Sequence, residues 1–215
     1  MYTTRWKNYL TNEQKKQIES IELTSNQWSG YKNVEFNITI WEDIFNSLNK
    51  YIPSNNEKNI NILDYGFGPG WSKVVGDKIT SHNIVGLDID LPKPNLEFKK
   101  FHDITNKSVK KWDGKKMPFE NNTFEIITAK ASLHKMVNTE ELVMFDELFR
   151  VSAQNSLWLI GPKYQFDKFC DMISQKKYQE RYQSLIVEKN IKFGYFEWDI
   201  NNHQNNIFQP IYAKE

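Results

Sequence analysis

The sequence predicts an α/β fold: a mostly parallel sheet of seven strands with helices on both faces, a C-terminal antiparallel hairpin and an N-terminal helical lid. Three observations predict it. From residue 60 onward, short apolar runs of strand length alternate with stretches of helical periodicity, the pattern of parallel strands joined by crossover helices. The first of these runs leads into three glycines at alternate positions and then into a helix. A chain of 215 residues, 39% hydrophobic and 26% charged, suits one domain that can bury a core without help from disulfides or metal.

The first fifty residues read as polar helices. Ile18, Ile21 and Leu23 mark one candidate. Phe36, Ile40, Ile44 and Leu48, at spacings of four, fall on one face of another, which Pro53 and the following Ser54-Asn55-Asn56 end. Trp28-Ser29-Gly30-Tyr31 between them is an aromatic loop, readable as a packed turn or as part of a lid. Strand and helix then alternate: Ile60 to Tyr65 as a strand, Trp71 to Thr80 as a helix, Ile84 to Leu87 as a strand ending at Asp88, and Leu96 to Phe101 as a third ending near Asp103. Phe124 to Ala129 follows as a fourth strand, Thr139 to Val151 as an amphipathic helix, and Leu157 to Gly161 as a fifth strand. A long polar helix from about Phe166 to Lys189 precedes Ile191 to Ile200 and Ile207 to Tyr212, two arms around an asparagine-rich turn that read as the antiparallel hairpin. The organisation expected is one domain, with a cap over 1–56, a ligand-binding core over 57–163 and a helix plus hairpin over 164–215.

Charge and composition exclude several classes. Lys and Arg total 28 against 27 Asp and Glu, a net charge of +1, so no strong field draws the chain to nucleic acid or anionic lipid. The arginines are Arg5, Arg150 and Arg181 alone, and lysine lacks the planar fork suited to bidentate phosphate contacts. One cysteine, Cys170, permits no disulfide framework or zinc knuckle. The longest apolar stretches are strand-length and residues 1–7 lack the apolar run of a signal peptide, so a cytoplasmic protein without a membrane segment is expected.

The most informative stretch is Asn61-Ile62-Leu63-Asp64-Tyr65-Gly66-Phe67-Gly68-Pro69-Gly70-Trp71. Glycines there permit positive φ and close approach of backbone to a ligand, and a helix N-terminus follows. A dinucleotide pyrophosphate is the usual ligand of such a turn, but Asp64 two residues before the first glycine would repel it and would suit a cofactor carrying an ammonium group. The third glycine also comes one residue earlier than in the dinucleotide pattern.

On these residues the chain resembles the class I S-adenosylmethionine-dependent methyltransferases, whose first motif, acidic-x-Gly-x-Gly-x-Gly, is matched by Asp64, Gly66, Gly68 and Gly70. Val85-Gly86-Leu87-Asp88-Ile89 is similar to the second-strand motif and His102-Asp103-Ile104 to the third. Met117 to Ile127 is similar to the segment entering the fourth strand, and Glu147-Leu148-Phe149-Arg150-Val151 with Leu157 to Ile160 to the helix, turn and fifth strand. The resemblance spans about Ile60 to Lys163 and departs from the family at Ala153-Gln154-Asn155-Ser156, where a Pro-Gly-Gly turn is usual; Asn155 is the residue expected to turn left-handed.

The resemblance implies a Rossmann-like fold, S-adenosyl-L-methionine as cofactor and methyl transfer to an oxygen or nitrogen. It implies a cofactor-binding set of Asp64, Gly66, Gly68, Gly70, Asp88, Ile89, Asp103, Ile104, Ala129 and Lys130, with Asp88 on the ribose hydroxyls and Asp103 on the adenine. His134, just past the fourth strand, is the candidate general base, and a structural histidine is the other reading of it. The acceptor expected is a small molecule or a sugar-like group. A base amino group lacks its Asn/Asp-Pro-Pro-Tyr/Phe motif, carbon-5 attack lacks its Pro-Cys pair, and a catalytic metal lacks carboxylates where Lys130 and His134 stand. Trp6, Tyr9, Trp28 and Tyr31 are candidates for the lid over such an acceptor, and Lys130, Lys135 and Lys163 for an anionic one. The alternatives are a macromolecular acceptor, RNA or protein, and a non-catalytic binding partner that keeps the fold.

Overall fold

Apolar residues on both faces of a strand require cover on both sides, and the central strands of this chain are built that way. A computed structural model of the chain describes residues 9–16, 34–51, 59–89, 108–133 and 141–197. The order is α1 (Val34–Tyr51), β1 (Asn61–Tyr65), α2 (Trp71–Ile79), β2 (Asn83–Asp88), β3 (Val109–Lys111), β4 (Phe124–Lys130), α3 (Glu141–Val151), β5 (Ser152–Gly161), α4 (Lys163–Ile173), α5 (Lys176–Glu188) and β6 (Lys192–Tyr195). The strands form one sheet in the order β3-β2-β1-β4-β5-β6, and every pairing is parallel. This is the doubly wound Rossmann-like arrangement expected, with its change of direction between β1 and β4.

Three parts of the expected topology change. The described residues hold six strands, not seven, and none of their pairings is antiparallel. β6, the first arm of the expected hairpin, pairs with β5 in parallel from Leu157↔Lys192 to Ile160↔Tyr195, because α4 and α5 together make a crossover that returns the chain in the same direction. The second arm, 207–212, lies outside the described residues, as does the strand expected at Leu96 to Phe101. β3 takes the place beside β2 instead, a three-residue strand in which Val109 alone is buried.

Alternation divides the core between the two faces. Ile62, Ile84, Ile126 and Leu159 point to one face and are covered by α1 and α2. Leu63, Tyr65, Leu87, Ile127, Trp158 and Ile160 point to the other and are covered by α3, α4 and α5. The expected helix of residues 166–189 breaks at Ser174-Gln175, where Ser174 N–H and Gln175 N–H turn back to the carbonyls of Cys170 and Met172. The break lets Phe166 and Phe169 of α4 and Tyr178, Tyr182 and Ile186 of α5 all face the sheet. Phe149 stacks on Tyr182 with centroids 4.7 Å apart and lies 4.8 Å from the Trp158 ring, whose indole N–H donates to Ser152 Oγ at 2.9 Å.

The N-terminal segment expected as a lid is, in its described helix, a layer of the core. Ile38, Trp41, Ile44, Phe45 and Leu48 of α1 are buried with Trp71 and Val75 of α2, and Tyr9 and Leu10 join the same cluster. Apolar residues at spacings of three and four leave a helix no alternative to packing. α2 lies close to both the sheet and α1: a Cβ on its Gly76 would stand 1.9 Å from Ile84 Cδ1 and 3.1 Å from Phe45 Cζ. Ahead of α1, Thr11 and Gln14 form a reciprocal capping box, with Gln14 N–H donating to Thr11 Oγ1 and Thr11 N–H to Gln14 Oε1. Trp6, Trp28 and Tyr31 lie outside the described residues. No helix among those described is long and apolar enough to cross a membrane.

One segment without regular structure is held by a single arginine. Arg150 donates to the carbonyls of Met117 and Phe119 at 3.0 and 2.8 Å and to Asn121 Oδ1 at 2.9 Å, while Glu147 pairs with it and accepts from Met117 N–H at 2.6 Å. The planar fork of the guanidinium is what allows one side chain to serve all these acceptors.

Candidate functional site

The carboxyl ends of β1, β2 and β4 meet at the point where the strand order reverses, which is where an open parallel sheet leaves a crevice. Three groups converge there: the glycine loop after β1, Asp88 at the end of β2, and Lys130 to Ser132 at the end of β4.

Gly66, Gly68 and Gly70 all have positive φ, at 78°, 50° and 84°. Gly66 has a steric reason besides, since a Cβ there would meet Ser132 Cβ at 2.1 Å. Gly68 is the opposite case. A Cβ on it would find only Gly66 O, at 4.0 Å, so its Cα faces open space. The loop is anchored by its own side chain and backbone: Phe67 lies against Gly86 of β2 and Val109 of β3, and the N–H groups of Gly66 and Phe67 both donate to Leu87 O, at 2.8 and 3.2 Å. Gly70 is the N-cap of α2, with no side chain capping that end.

Asp88 is buried and accepts at Oδ2 from Gly68 N–H at 2.9 Å. The loop and the second-strand acid are thus one unit, with the carboxylate fixed by the glycine that faces open space. Ile89, next in the chain, is 37% exposed.

Asp64 is 1% exposed and takes its partners from within the chain. Ser72 Oγ donates to its Oδ2 at 2.5 Å, and Thr128 Oγ1, its register partner on β4, lies 3.2 Å from Oδ1. Burial pushes the Asp64 carboxyl up to about 6, against the pull of Ser72, Thr128 and the Lys130 charge, and the Asp88 charge adds to the rise. Burial likewise pushes Lys130 down to about 8, opposed by the Asp64 charge. Lys130 Nζ donates to Asn37 Oδ1 of α1 at 2.7 Å. The Lys130 ammonium on β4 thus acts on Asp64 through its charge.

At the end of β4, Ala131 adopts the left-handed conformation with φ 54°, and its N–H donates to Gly161 O at 2.8 Å. That turn directs Ser132 back over the loop, where its hydroxyl donates to Tyr65 O at 2.6 Å. Ala129 is buried in the core on the far face. Asp103, Ile104, His134 and Lys135 lie outside the described residues. Lys163 is paired with Asp167 at 2.7 Å on the first turn of α4, and burial pushes the Cys170 thiol up to about 11, which suits an inert side chain. No cluster of potential metal ligands occurs among the described residues.

Sequence reasoning missed Ser72, Thr128, Ser132 and Asn37. Thr128, Ser132 and Asn37 act by contact with residues far off in the chain, and a lone hydroxyl or amide gives no periodicity to read. Ser72 alone carried a usable signal, since a small polar residue just after the third glycine can reach back to the acid before the first.

No family model matches the chain, and no curated protein matches it. Among solved structures it is similar to a candidate S-adenosyl-L-methionine-dependent methyltransferase of Methanococcus maripaludis, at 17% identity over 96% of this chain and 95% of that one, with a TM-score of 0.49. It is similar also to an S-adenosylmethionine-dependent methyltransferase of Aquifex aeolicus, at 15% identity over 92% and 80% of the two chains with a TM-score of 0.45. A Haemonchus contortus phosphoethanolamine N-methyltransferase, solved with phosphomonomethylethanolamine and S-adenosylhomocysteine, is 15% identical over 79% and 43% with a TM-score of 0.43.

Proposed function

We propose that the chain is an S-adenosyl-L-methionine-dependent methyltransferase. The observation that carries this reading is the unit formed by the left-handed glycine loop and Asp88, in which Gly68 faces open space while its N–H fixes the carboxylate beside it. The donor set fits a nucleoside cofactor: a carboxylate at the end of β2 accepts from paired ribose hydroxyls, and a glycine without neighbours admits a ligand against the backbone. A phosphate-rich cofactor fits less well, because Asp64 and Asp88 place two carboxylates around the loop.

S-adenosyl-L-methionine, when bound, supplies a methyl group already activated on a sulfonium. The work left to the chain is to bind, to orient and to exclude water. Gly66, Gly68, Gly70, Asp88 and Ile89 are the residues that would hold the cofactor, with Asp103 and Ile104 proposed for its adenine. Lys130 to Ser132 form the end of β4, the edge from which an acceptor would approach. His134 is the proposed base where the acceptor is a hydroxyl; an amine needs none. A small acceptor is favoured by a net charge of +1 and by three arginines in the whole chain.

Calorimetric titration with S-adenosylhomocysteine tests the cofactor. Binding is expected in the micromolar range, weakened about 10- to 100-fold by Asp88→Ala, the loss that follows from removing charge-assisted hydrogen bonds. Unchanged affinity in that variant would overturn the site. Conversion of the cofactor to S-adenosylhomocysteine, screened over small molecules, RNA and protein, tests the acceptor. Turnover with a macromolecule alone would replace the small acceptor, and no turnover with any of them would leave a binding role.

A further inference from the structure

We propose that Ser132, just past the end of β4, is a positioning residue that seats the first peptide of the glycine loop for its ligand. The loop is the one assigned above to the cofactor, and only the ligand arm of the test rests on that assignment. Ser132 is buried, and its hydroxyl donates to Tyr65 O at 2.6 Å. Gly66 N–H, at the other end of the same planar peptide, donates to Leu87 O at 2.8 Å. The peptide that joins β1 to the loop is therefore held from the β4 side at its oxygen and from β2 at its nitrogen. Its orientation sets where Gly68 falls two residues later, and Gly68 N–H is the donor to Asp88 Oδ2 at 2.9 Å. Ser132 thus acts on the Gly68–Asp88 unit through the backbone of the loop.

The fit between Ser132 and the loop is steric as well as polar. A Cβ on Gly66 would stand 2.1 Å from Ser132 Cβ and 2.8 Å from its Oγ, so the missing side chain at 66 is what admits Ser132. The backbone before Ser132 shows that its placement is imposed. Ala131 has a φ of 54°, and the three other non-glycine residues with positive φ among those described, Asn122, Asn155 and Asn190, are asparagines, which tolerate the left-handed region. Alanine lacks that tolerance, so the conformation is enforced from outside. The bonds from Ala131 N–H to Gly161 O at 2.8 Å and from Ser132 Oγ to Tyr65 O flank the strained residue and hold it. A buried serine in need of a partner finds one nearby without strain, as Ser152 does at Leu148 O, 2.7 Å away and four residues back. Ser132 instead reaches a carbonyl 67 residues earlier, and that carbonyl opens the glycine loop.

The test uses the full chain and the variants Ser132→Ala and Ser132→Cys, with Ser152→Ala as a control. Alanine at 132 keeps the Cβ and removes the hydroxyl; cysteine keeps the size and leaves a weak donor. The control removes a buried hydroxyl that also donates to a backbone carbonyl, but under Trp158 and away from the loop. Without ligand, amide exchange of Gly66 to Gly68 is expected to quicken about tenfold in both Ser132 variants, beyond any change in global stability, as one lost hydrogen bond implies. In Ser152→Ala the same amides are expected to change only as far as denaturant unfolding does. Unmoved loop exchange in Ser132→Ala, or exchange that follows global stability as in the control, overturns the proposal, and Ser132→Cys supplies the readout should Ser132→Ala not fold. With S-adenosylhomocysteine as probe, affinity is expected to fall about tenfold in the Ser132 variants and to hold in Ser152→Ala. Wild-type affinity in the Ser132 variants would overturn the positioning role. Absence of binding by the wild type would overturn the cofactor assignment, while the ligand-free exchange still decides whether Ser132 seats the loop.

Discussion

Asp64 and Lys130 are both charged at neutral pH in a place that resists charge. The folded carboxyl titrates near 6 against 3.8 in the ordinary state, so the folded chain binds more protons than the unfolded one between those values and stability falls as pH rises through that window. Two units correspond to roughly 3 kcal/mol. For Lys130 the shift is downward, from 10.5 to about 8, and stability rises with pH across that interval. The pair thus contributes a minimum of stability between about pH 6 and 8. Asp64→Asn is expected to remove the decline between pH 4 and 6 in denaturant titrations, and Asp64→Asn/Lys130→Met to be more stable at pH 7 than Lys130→Met alone, because the single variant strands a buried charge. The first two glycines of the loop separate structure from binding. Gly66→Ala drives a Cβ into Ser132 and is expected to lower the melting temperature, whereas Gly68→Ala, whose Cβ meets open space, costs about 1–2 kcal/mol for the left-handed conformation and shows mainly as lost S-adenosylhomocysteine affinity.

At the scale of elements, the clip made by Arg150 gives the clearest expectation. Arg150→Met removes the donors that hold Met117 to Asn121 and is expected to cost roughly 2–3 kcal/mol in chemical denaturation, with faster tryptic cleavage at Lys116; Arg150→Lys does not restore it, since one ammonium cannot span the same acceptors. The elements readable in the sequence were those with a sustained period. β1, β2, β4, α2 and α3 lie within a few residues of their expected bounds, and Asn155 is left-handed as expected, φ 60°, although it stands inside β5 and not in the turn expected at Ala153 to Ser156. β3 was not readable: three residues with one buried valine, followed by two lysines, carry no alternation. The direction of β6 was not readable either, because polarity of a strand is set by the crossover before it and not by its own residues. The site divides in the same manner. The glycines of the candidate site stood out by spacing and Asp88 by its place at the end of a predicted strand; the bond from Thr128 to Asp64 did not, since only the fold brings that strand near.

For the whole molecule, one sheet separates two apolar clusters that share no residue. Ile44 lies in the cluster under α1 and α2, Phe149 in the one under α3 to α5. Ile44→Ala is expected to cost about 2–5 kcal/mol and Phe149→Ala about 3–5. Their double variant should lose the sum to within about 0.5 kcal/mol, because neither cavity can relax into the other. A larger coupling in denaturant titrations would mean that the sheet transmits strain between its faces.

The strand order has a kinetic side as well. β1 pairs with β4 at Ile62↔Ile126, so the centre of the sheet is joined by residues far apart in the chain, and an all-parallel sheet offers no hairpin from which to start. Ordering so long a loop precedes the contacts that reward it. Refolding is therefore expected on the millisecond-to-second scale of domains rich in distant pairings, with β1, α2 and β2 able to assemble before β4 arrives and the crevice between β1 and β4 appearing only when it does.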